Sequence, residues 1–495
     1  MDEHSFCVKG AYYMESFVTS RKIRILVPLC SFAVTVLMYG LTQALPQSSI
    51  VPVCLFPVVI ACLLSAYLFV NKRFKAQHAA ALILLLALAV RVIYIAATPW
   101  QARQHDVFGV TDSGHAGYIF YLFAAGKLPE SNTGLLYHPP LSHFLLSLYA
   151  RFSELFVSNT ETLMENLQTV TAYWSLMCGW VFLRLLETLK VKKETALLFF
   201  AFFSLHPTLL ILGGSINNDC LCFLLSMVTL LYLLRFAEKQ TMFNAVMMGA
   251  ALGCAMMAKL SAVLLAPVIA AVFVWKLIKP DGDRLKTLAS EMVFGAVSIP
   301  LGMWYPVRNL IKFGQPFGYV MRISEQHPLY CGDRSIAERF LSFPLAQVFE
   351  DPFCDPFEDY NVPIYTLKCS VFGEFSFSFP KWTAVTLVML NLLVILLFVA
   401  LGIYALVKKR SAAVYILTSA EIITIISFIS FNIEYPHGCT MDFRYILPCL
   451  PCSALIAAAG AQRINKKAVK VSVICVLSLF TAAVLMLFTS RSLFI

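Results

Sequence analysis

The sequence predicts an all-α polytopic membrane protein, and three observations predict it. Of 495 residues, 59% are hydrophobic and only 13% charged, with 40 Phe, and the mean hydropathy is +0.76. Soluble proteins carry roughly 25% charged residues, and a water-soluble fold has too little interior to hide this much apolar surface. Second, the apolar residues fall into runs near the roughly 20 residues that cross a bilayer as a helix. Third, the basic residues stand in short clusters between those runs. Disordered, collagen-like and small disulfide-rich classes are excluded by the same numbers.

In chain order the apolar runs are 25–44, 51–70, 79–97, 165–187, 195–213, 219–236, 241–258, 260–278, 286–304, 382–406, 412–431, 445–461 and 470–490. They make about thirteen predicted transmembrane helices, of which 241–258, 260–278 and 445–461 are short or abutting. Alternation across a bilayer leaves one choice, which side is cytoplasmic. A cytoplasmic N-terminus gathers Arg21-Lys22-Ile23-Arg24, Lys72-Arg73, Lys408-Lys409-Arg410 and Lys466-Lys467 on the inner side, as the positive-inside rule requires. The C-terminus is then expected outside, in a plasma membrane. The net charge of +10 reads as this topology signal, so no nucleic-acid partner is expected. The first 20 residues carry Asp2, Glu3, His4 and Glu15, lack the cationic start of a secretory signal, and read as a cytoplasmic tail.

Two long loops, A (about 98–164) and B (about 305–381), fall on the same, outer side and hold 14 Asp/Glu against 10 Lys/Arg. Loops of this size without spanning character are usually functional. Within loop A, Pro139-Pro140 opens an amphipathic segment, Leu141 to Leu155, expected to lie in the interface rather than to cross it. No internal repeat and no Walker loop occurs, so ATP-driven pumping has no support. Most of the 15 Cys lie in apolar runs, where a thiol acts as a small hydrophobe. Cys331, Cys354, Cys369 and Cys439 fall outside, where disulfides persist. Cys354 with Cys369 closes the shortest plausible loop, and free thiols are the alternative.

The chemistry-bearing residues start in loop A with His105-Asp106-Val107-Phe108-Gly109-Val110-Thr111-Asp112-Ser113-Gly114-His115. A helix beginning near Asp112 puts Asp112 and His115 on one face at i, i+3. A carboxylate there suits proton abstraction from a hydroxyl; a helix cap with solvated neighbours is the equal alternative. A Zn site of His105, Asp106, Asp112 and His115 departs from standard ligand spacing, so no metal or other cofactor is firmly implied. In Tyr137-His138-Pro139-Pro140-Leu141-Ser142-His143 the prolines fix an extended lead into the next helix. His138 is thereby held at the membrane edge, within reach of a phosphate, or it and His143 are simply interfacial polar groups.

Leu205-His206-Pro207 is followed by Asn217-Asn218-Asp219 at the outer end of a predicted helix. An Asp there is either a cap or a functional membrane-boundary charge. Lys259, between two apolar runs, either snorkels or binds an anion. Arg91 lies deeper and is expected to need a carboxylate partner. Arg308 and Arg444 map to the outer rim with Lys259, Asp112 and Asp219, which points to an anionic substrate near the outer leaflet.

These residues resemble the integral-membrane glycosyltransferases of the GT-C class, specifically the protein mannosyltransferase and aminoarabinose transferase kind (glycosyltransferase family 39). Asp112-Ser113-Gly114-His115, Gly126-Lys127-Leu128-Pro129 and His138-Pro139-Pro140-Leu141 match the family's acidic motif, turn and Pro-Pro-Leu element in order. Ser204-Leu205-His206-Pro207 to Asp219 looks like its second acidic motif. Ala258-Lys259-Leu260 is similar to its Leu-Thr-Lys element, and Arg444-Tyr445-Ile446-Leu447-Pro448 to its late Arg-Tyr-x-x-Pro element. Asp112-Ser113 replaces the family's Asp-Glu pair, His138 replaces its Lys, and two helices precede its usual first one.

The resemblance implies a GT-C-like fold and inverting transfer of a sugar from a polyprenyl-phosphate carrier to a protein, lipid or glycan acceptor. Asp112, Asp219 and His115 are the implied catalytic candidates; Lys259, Arg308, Arg444 and His138 the phosphate-binding ones; Asp106, Tyr137 and His143 further site candidates. The implied organisation is 1–78, a cytoplasmic tail with two extra helices; 79–461, the glycosyltransferase core; and 462–495, a C-terminal transmembrane helix. A secondary transporter or lipid flippase is the competing class. Repeated halves and paired broken helices, which mark many transporters, are missing from the sequence.

Overall fold

A computed structural model describes residues 21–280, 282–409 and 411–494; the acidic N-terminal stretch lies outside the described residues. Every apolar run among them is helical, and the one β pairing described is a single bridge between Tyr330 and His437. Three long helices come first: α1 (Arg21–Gln43), α2 (Gln47–Val70) and α3 (Ala76–Ala96). Loop A contributes α4 (His115–Ala125) and α5 (Leu141–Glu154). Then follow α6 (Thr160–Thr188), α7 (Lys193–Ser204), α8 (Pro207–Gly214), α9 (Asp219–Glu238) and α10 (Met242–Ala258). A tight turn over Leu260–Leu265 leads into α11 (Ala266–Ile278) and the long α12 (Arg284–Phe313). Loop B carries α13 (Ala346–Glu350) and α14 (Val362–Phe372). The chain closes with α15 (Lys381–Lys409), α16 (Ala412–Glu434), α17 (Cys449–Ala461) and α18 (Lys467–Phe488).

The expected count of thirteen spans needs correction. Among the described residues, ten helices are long and apolar enough to cross a membrane, or eleven if α7 and α8 together count as one broken span. The α10 and α17 helices are shorter. Run 195–213 is not one rod, because Pro207 has no N–H to continue the ladder, and α7 and α8 meet at 44°. Pro207 instead starts α8, a position where its fixed φ fits.

Close helix contact is bought by small residues. A Cβ at Gly253 of α10 would lie 2.6 Å from Leu301 Cβ on α12, and one at Gly460 of α17 would lie 2.3 Å from Leu401 O on α15. Such approach lets apolar helices pack by van der Waals contact where lipid offers no hydrophobic drive. Helix α5 begins at Leu141 after Pro140, but the expected extended lead is a turn: His138 N–H bonds back to Leu135 O (3.1 Å) and Pro140 is already in the helical region (φ −85°, ψ −9°). It is amphipathic in an inverted sense: Ser142, His143, Leu146, Ser147 and Ala150 are buried, while Phe144, Leu148 and Phe152 are exposed. An exposed apolar stripe at i, i+4, i+8 beside a bundle of spanning helices fits a lipid-facing surface.

Arg91 of α3 is fully buried, but among the described residues its partners are hydroxyl and carbonyl oxygens and not a carboxylate. Its Nε donates to Ser175 Oγ (3.0 Å), and its Nη1 donates to the carbonyls of Ala87 and Ser204 (2.9 Å each). The α7–α8 break leaves the Ser204 carbonyl open, so backbone oxygen takes the role expected of an acid.

Candidate active site

Loops A and B meet at one end of the bundle. Trp100, after α3, ties loop A to α6: its N–H donates to Glu165 (3.1 Å) and its indole to Glu161 (2.6 Å). The carbonyls of Asp106 and Val107 then accept from the N–H groups of His115 and Ala116, 3.0 Å each, satisfying orphan donors at the start of α4. Asp106 adopts φ +56° in this turn, where a short polar residue is tolerated. Gln104 clamps the α8–α9 turn, donating to Gly214 O and accepting from Ile216 N–H, 2.7 Å each. Loop A and Asp219, at the start of α9, are thereby held together.

Arg444 is the hub. Its guanidinium lies 3.4 Å from Asp106, 3.7 Å from Asp219 and 3.1 Å from Asp442. Lys259, between α10 and the turn that follows, pairs with the other oxygen of Asp219. Both cations sit over the Tyr445 ring, at 5.2 Å for Lys259 and 4.9 Å for Arg444. The Asp442, Lys259 and Arg444 side chains are nearly enclosed, whereas Asp106 is 46% exposed. From Asp219, Lys259 and Arg444 an apolar cleft continues between α9 and α16, lined by Phe223, Met227, Leu230, Leu265, Thr424 and Leu447.

Next to Arg444, His105 Nδ1 faces Glu374 (3.3 Å) and Asp442 (3.4 Å). Burial first, and then the Arg444 charge, push the His105 pKa down to about 4, so the ring is neutral. Burial pushes Glu374 up to about 7 against the opposing pull of Arg444, and raises Asp442 as well.

The structure thus joins Asp106, Asp219, Lys259 and Arg444, and leaves other sequence candidates elsewhere. Asp112 is exposed, and its Oδ2 accepts from Gly109 N–H (2.8 Å). The helix starts at His115 with Gly114 as its cap, so the expected shared face of Asp112 and His115 does not form. His115 is buried, with Nδ1 2.9 Å from His143 Nε2. His138 stacks against His115 (ring centroids 5.9 Å) and lies tilted against Tyr137 (4.2 Å). Burial, followed by the Lys259 charge, holds His138 well below the usual imidazole range. Tyr137 also packs edge-on against Tyr319. Arg308 donates to Pro129 O (2.6 Å) and Asn309 Oδ1 (2.9 Å), bracing loop A from α12 rather than joining the cations.

The four residues considered for a Zn site are dispersed: His105 faces Glu374 and Asp442, Asp106 faces Arg444, Asp112 is exposed and His115 faces His143. Cys331, Cys354, Cys369 and Cys439 are all free thiols. Cys369 donates to Asp442 Oδ1 (3.0 Å) and Cys354 to Tyr365 O (3.5 Å). Gln104, Glu374 and Asp442 are site members that the sequence did not single out. Asp442 stands two residues before a recognised Arg, which was the one local signal available.

The fold and site are those of a helical membrane protein with buried cations beside an apolar cleft at the meeting point of two long loops. Residues 137–307 match the family described as dolichyl-phosphate-mannose-protein mannosyltransferase, in agreement with the resemblance carried by the motifs. Among solved structures, the chain is similar to ArnT from Cupriavidus metallidurans in the apo state, with 14% identity, 76% of each chain covered and a TM-score of 0.36. The same protein bound to undecaprenyl phosphate matches at 15% identity with the same coverage and TM-score 0.36. No curated protein matches the chain.

Proposed function

We propose that the chain is a membrane glycosyltransferase that moves a sugar from a polyprenyl-phosphate carrier to an acceptor hydroxyl on the outer face, with inversion. One observation carries the reading: Lys259 and Arg444 stand together at the head of an apolar cleft, with the accessible Asp106 carboxylate on Arg444. An isoprenoid chain fits the cleft, and its phosphate fits the two cations, where charge-assisted contacts are strongest. The family match over residues 137–307 supports the same donor class.

In this reading Asp106 accepts the acceptor's hydroxyl proton while the oxygen attacks the anomeric carbon from the face opposite the phosphate. The bond between that carbon and the phosphate oxygen breaks, its electron pair stays on the phosphate, and Lys259 and Arg444 stabilise the charge that develops there. A single displacement of this kind inverts the anomeric centre. Asp219 holds the two cations in place, so it is a positioning residue. The buried imidazoles of His115, His138 and His143 pack on one another within loop A, outside the lining of the cleft.

Asp106→Asn keeps the shape and removes the base, and is expected to lower transfer by roughly 10²–10⁴-fold in folded, reconstituted protein. Asp112→Asn is expected to stay near wild type. Reversal of that order would return the base to Asp112.

A further inference from the structure

Three segments that are distant in the chain converge on one point beside the proposed transfer site: the start of loop A at His105, the end of α14 at Glu374, and Asp442. His105 Nδ1 is 3.3 Å from Glu374 Oε2 and 3.4 Å from Asp442 Oδ2, and the three atoms lie within 4.8 Å of one another. Bonds of about 2.0–2.2 Å around a tetrahedral ion separate the donor atoms by about 3.3–3.6 Å, which matches both measured edges.

The hydrogen-bond inventory points the same way. Each carboxylate has its outer oxygen anchored: Tyr365 O–H donates to Glu374 Oε1 (3.0 Å), while Cys369 S–H (3.0 Å) and Arg444 N–H (2.9 Å) donate to Asp442 Oδ1. The inner oxygens turn toward His105. An imidazole Nδ1 carries at most one hydrogen, so it satisfies only one of them. Asp442, with a 3% exposed side chain, has an Oδ2 that makes no aligned hydrogen bond; its one cationic neighbour is Arg444 Nε at 3.1 Å, an atom that Arg444 shares with no other acid.

Charge is short as well. Arg444 is divided among Asp106, Asp219 and Asp442, and Lys259 pairs with Asp219, so among the described residues the buried Glu374 is paired with no Lys or Arg. Buried carboxylates without compensation are costly, and a divalent ion supplies what is missing. The Phe375 ring, 4.8 Å from the imidazole, and the anchored outer oxygens hold the donors in register.

We propose that His105 Nδ1, Glu374 Oε2 and Asp442 Oδ2 bind one divalent transition-metal ion, Zn²⁺ by donor set, with a fourth position open to water or a substrate oxygen. One imidazole and two carboxylates form a borderline-hard set that suits this ion. None of Asp106, Lys259 and Arg444 is a ligand, although Arg444 Nε lies 3.1 Å from Asp442 Oδ2, so the test reads metal binding itself and not sugar transfer.

The test uses the full-length protein in detergent, stripped with EDTA, desalted and titrated calorimetrically with ZnCl₂. One Zn²⁺ per chain is expected. Glu374→Gln keeps an acceptor for Tyr365 and is expected to weaken Zn²⁺ binding roughly tenfold or more; His105→Gln is expected to do the same. Absence of binding in the wild type, or wild-type affinity in both variants, overturns the proposal. If the variants do not fold, Co²⁺ loaded into the wild type decides the matter. A four-coordinate spectrum without thiolate charge transfer supports the site, and a thiolate band, which puts the ion on cysteine, refutes it.

Discussion

Asp106 and Asp112 come from one stretch of loop A, yet among the described residues the structure gives a cation only to Asp106. Their difference is set by backbone. The turn that lends the Asp106 carbonyl to α4 sends its side chain toward Arg444, while Asp112 folds back on Gly109. Spacing alone cannot reveal this, because it depends on where α4 starts. The His cluster makes a separate, measurable statement. His143, on α5, has its pKa pushed down to about 3 by burial. An imidazole depressed in the fold takes up its proton more readily when unfolded, so its stabilising effect is full above the ordinary imidazole pKa of about 6.5 and is lost as pH falls toward 3. The thermal midpoint of the detergent-solubilised protein should therefore fall between pH 7 and pH 4, and His143→Asn should flatten that fall. Parallel wild-type and variant curves would show that His143 is not held neutral.

At the scale of elements, the helices were legible because a bilayer demands long apolar runs, and every such run among the described residues is helical. The exception is informative. Run 195–213 breaks at His206-Pro207, and the freed Ser204 carbonyl is capped by Arg91 from α3. A charge in a predicted span announces that it needs a partner, but a backbone carbonyl four helices further along the chain leaves no trace in composition. Arg91→Leu leaves the buried Ser204 carbonyl without this donor, whereas Ala87 O keeps its place in the α3 ladder. A buried orphan costs about 1–3 kcal/mol, so the variant should unfold at lower denaturant than wild type. Unchanged unfolding would mean that the break is held by packing alone.

For the whole molecule, the Lys/Arg clusters forecast two long loops on one side, and the structure brings loops A and B together through His105–Glu374. Gln104, Glu374 and Asp442 escaped the sequence reading for the same reason: each acts across a long chain separation, and nothing in its immediate neighbours records that contact. The orientation is open to direct measurement. Thr111 in loop A and Lys466 between α17 and α18 are both exposed. With an impermeant maleimide read out peptide by peptide, Thr111→Cys should label in intact cells and Lys466→Cys only after permeabilisation. The opposite pattern would invert the topology.

The central claim, transfer rather than transport, is tested most directly by reconstituting the full chain in liposomes containing a polyprenyl-phosphate sugar labelled in the sugar. The account predicts protein-dependent loss of label from the lipid, release of unglycosylated polyprenyl phosphate, and appearance of label on a hydroxyl acceptor. All three should fall sharply in Arg444→Gln, which takes a charge-assisted phosphate contact away. Movement of intact labelled lipid between leaflets, with the glycosyl bond preserved and no acceptor labelled, would contradict the account and identify a flippase.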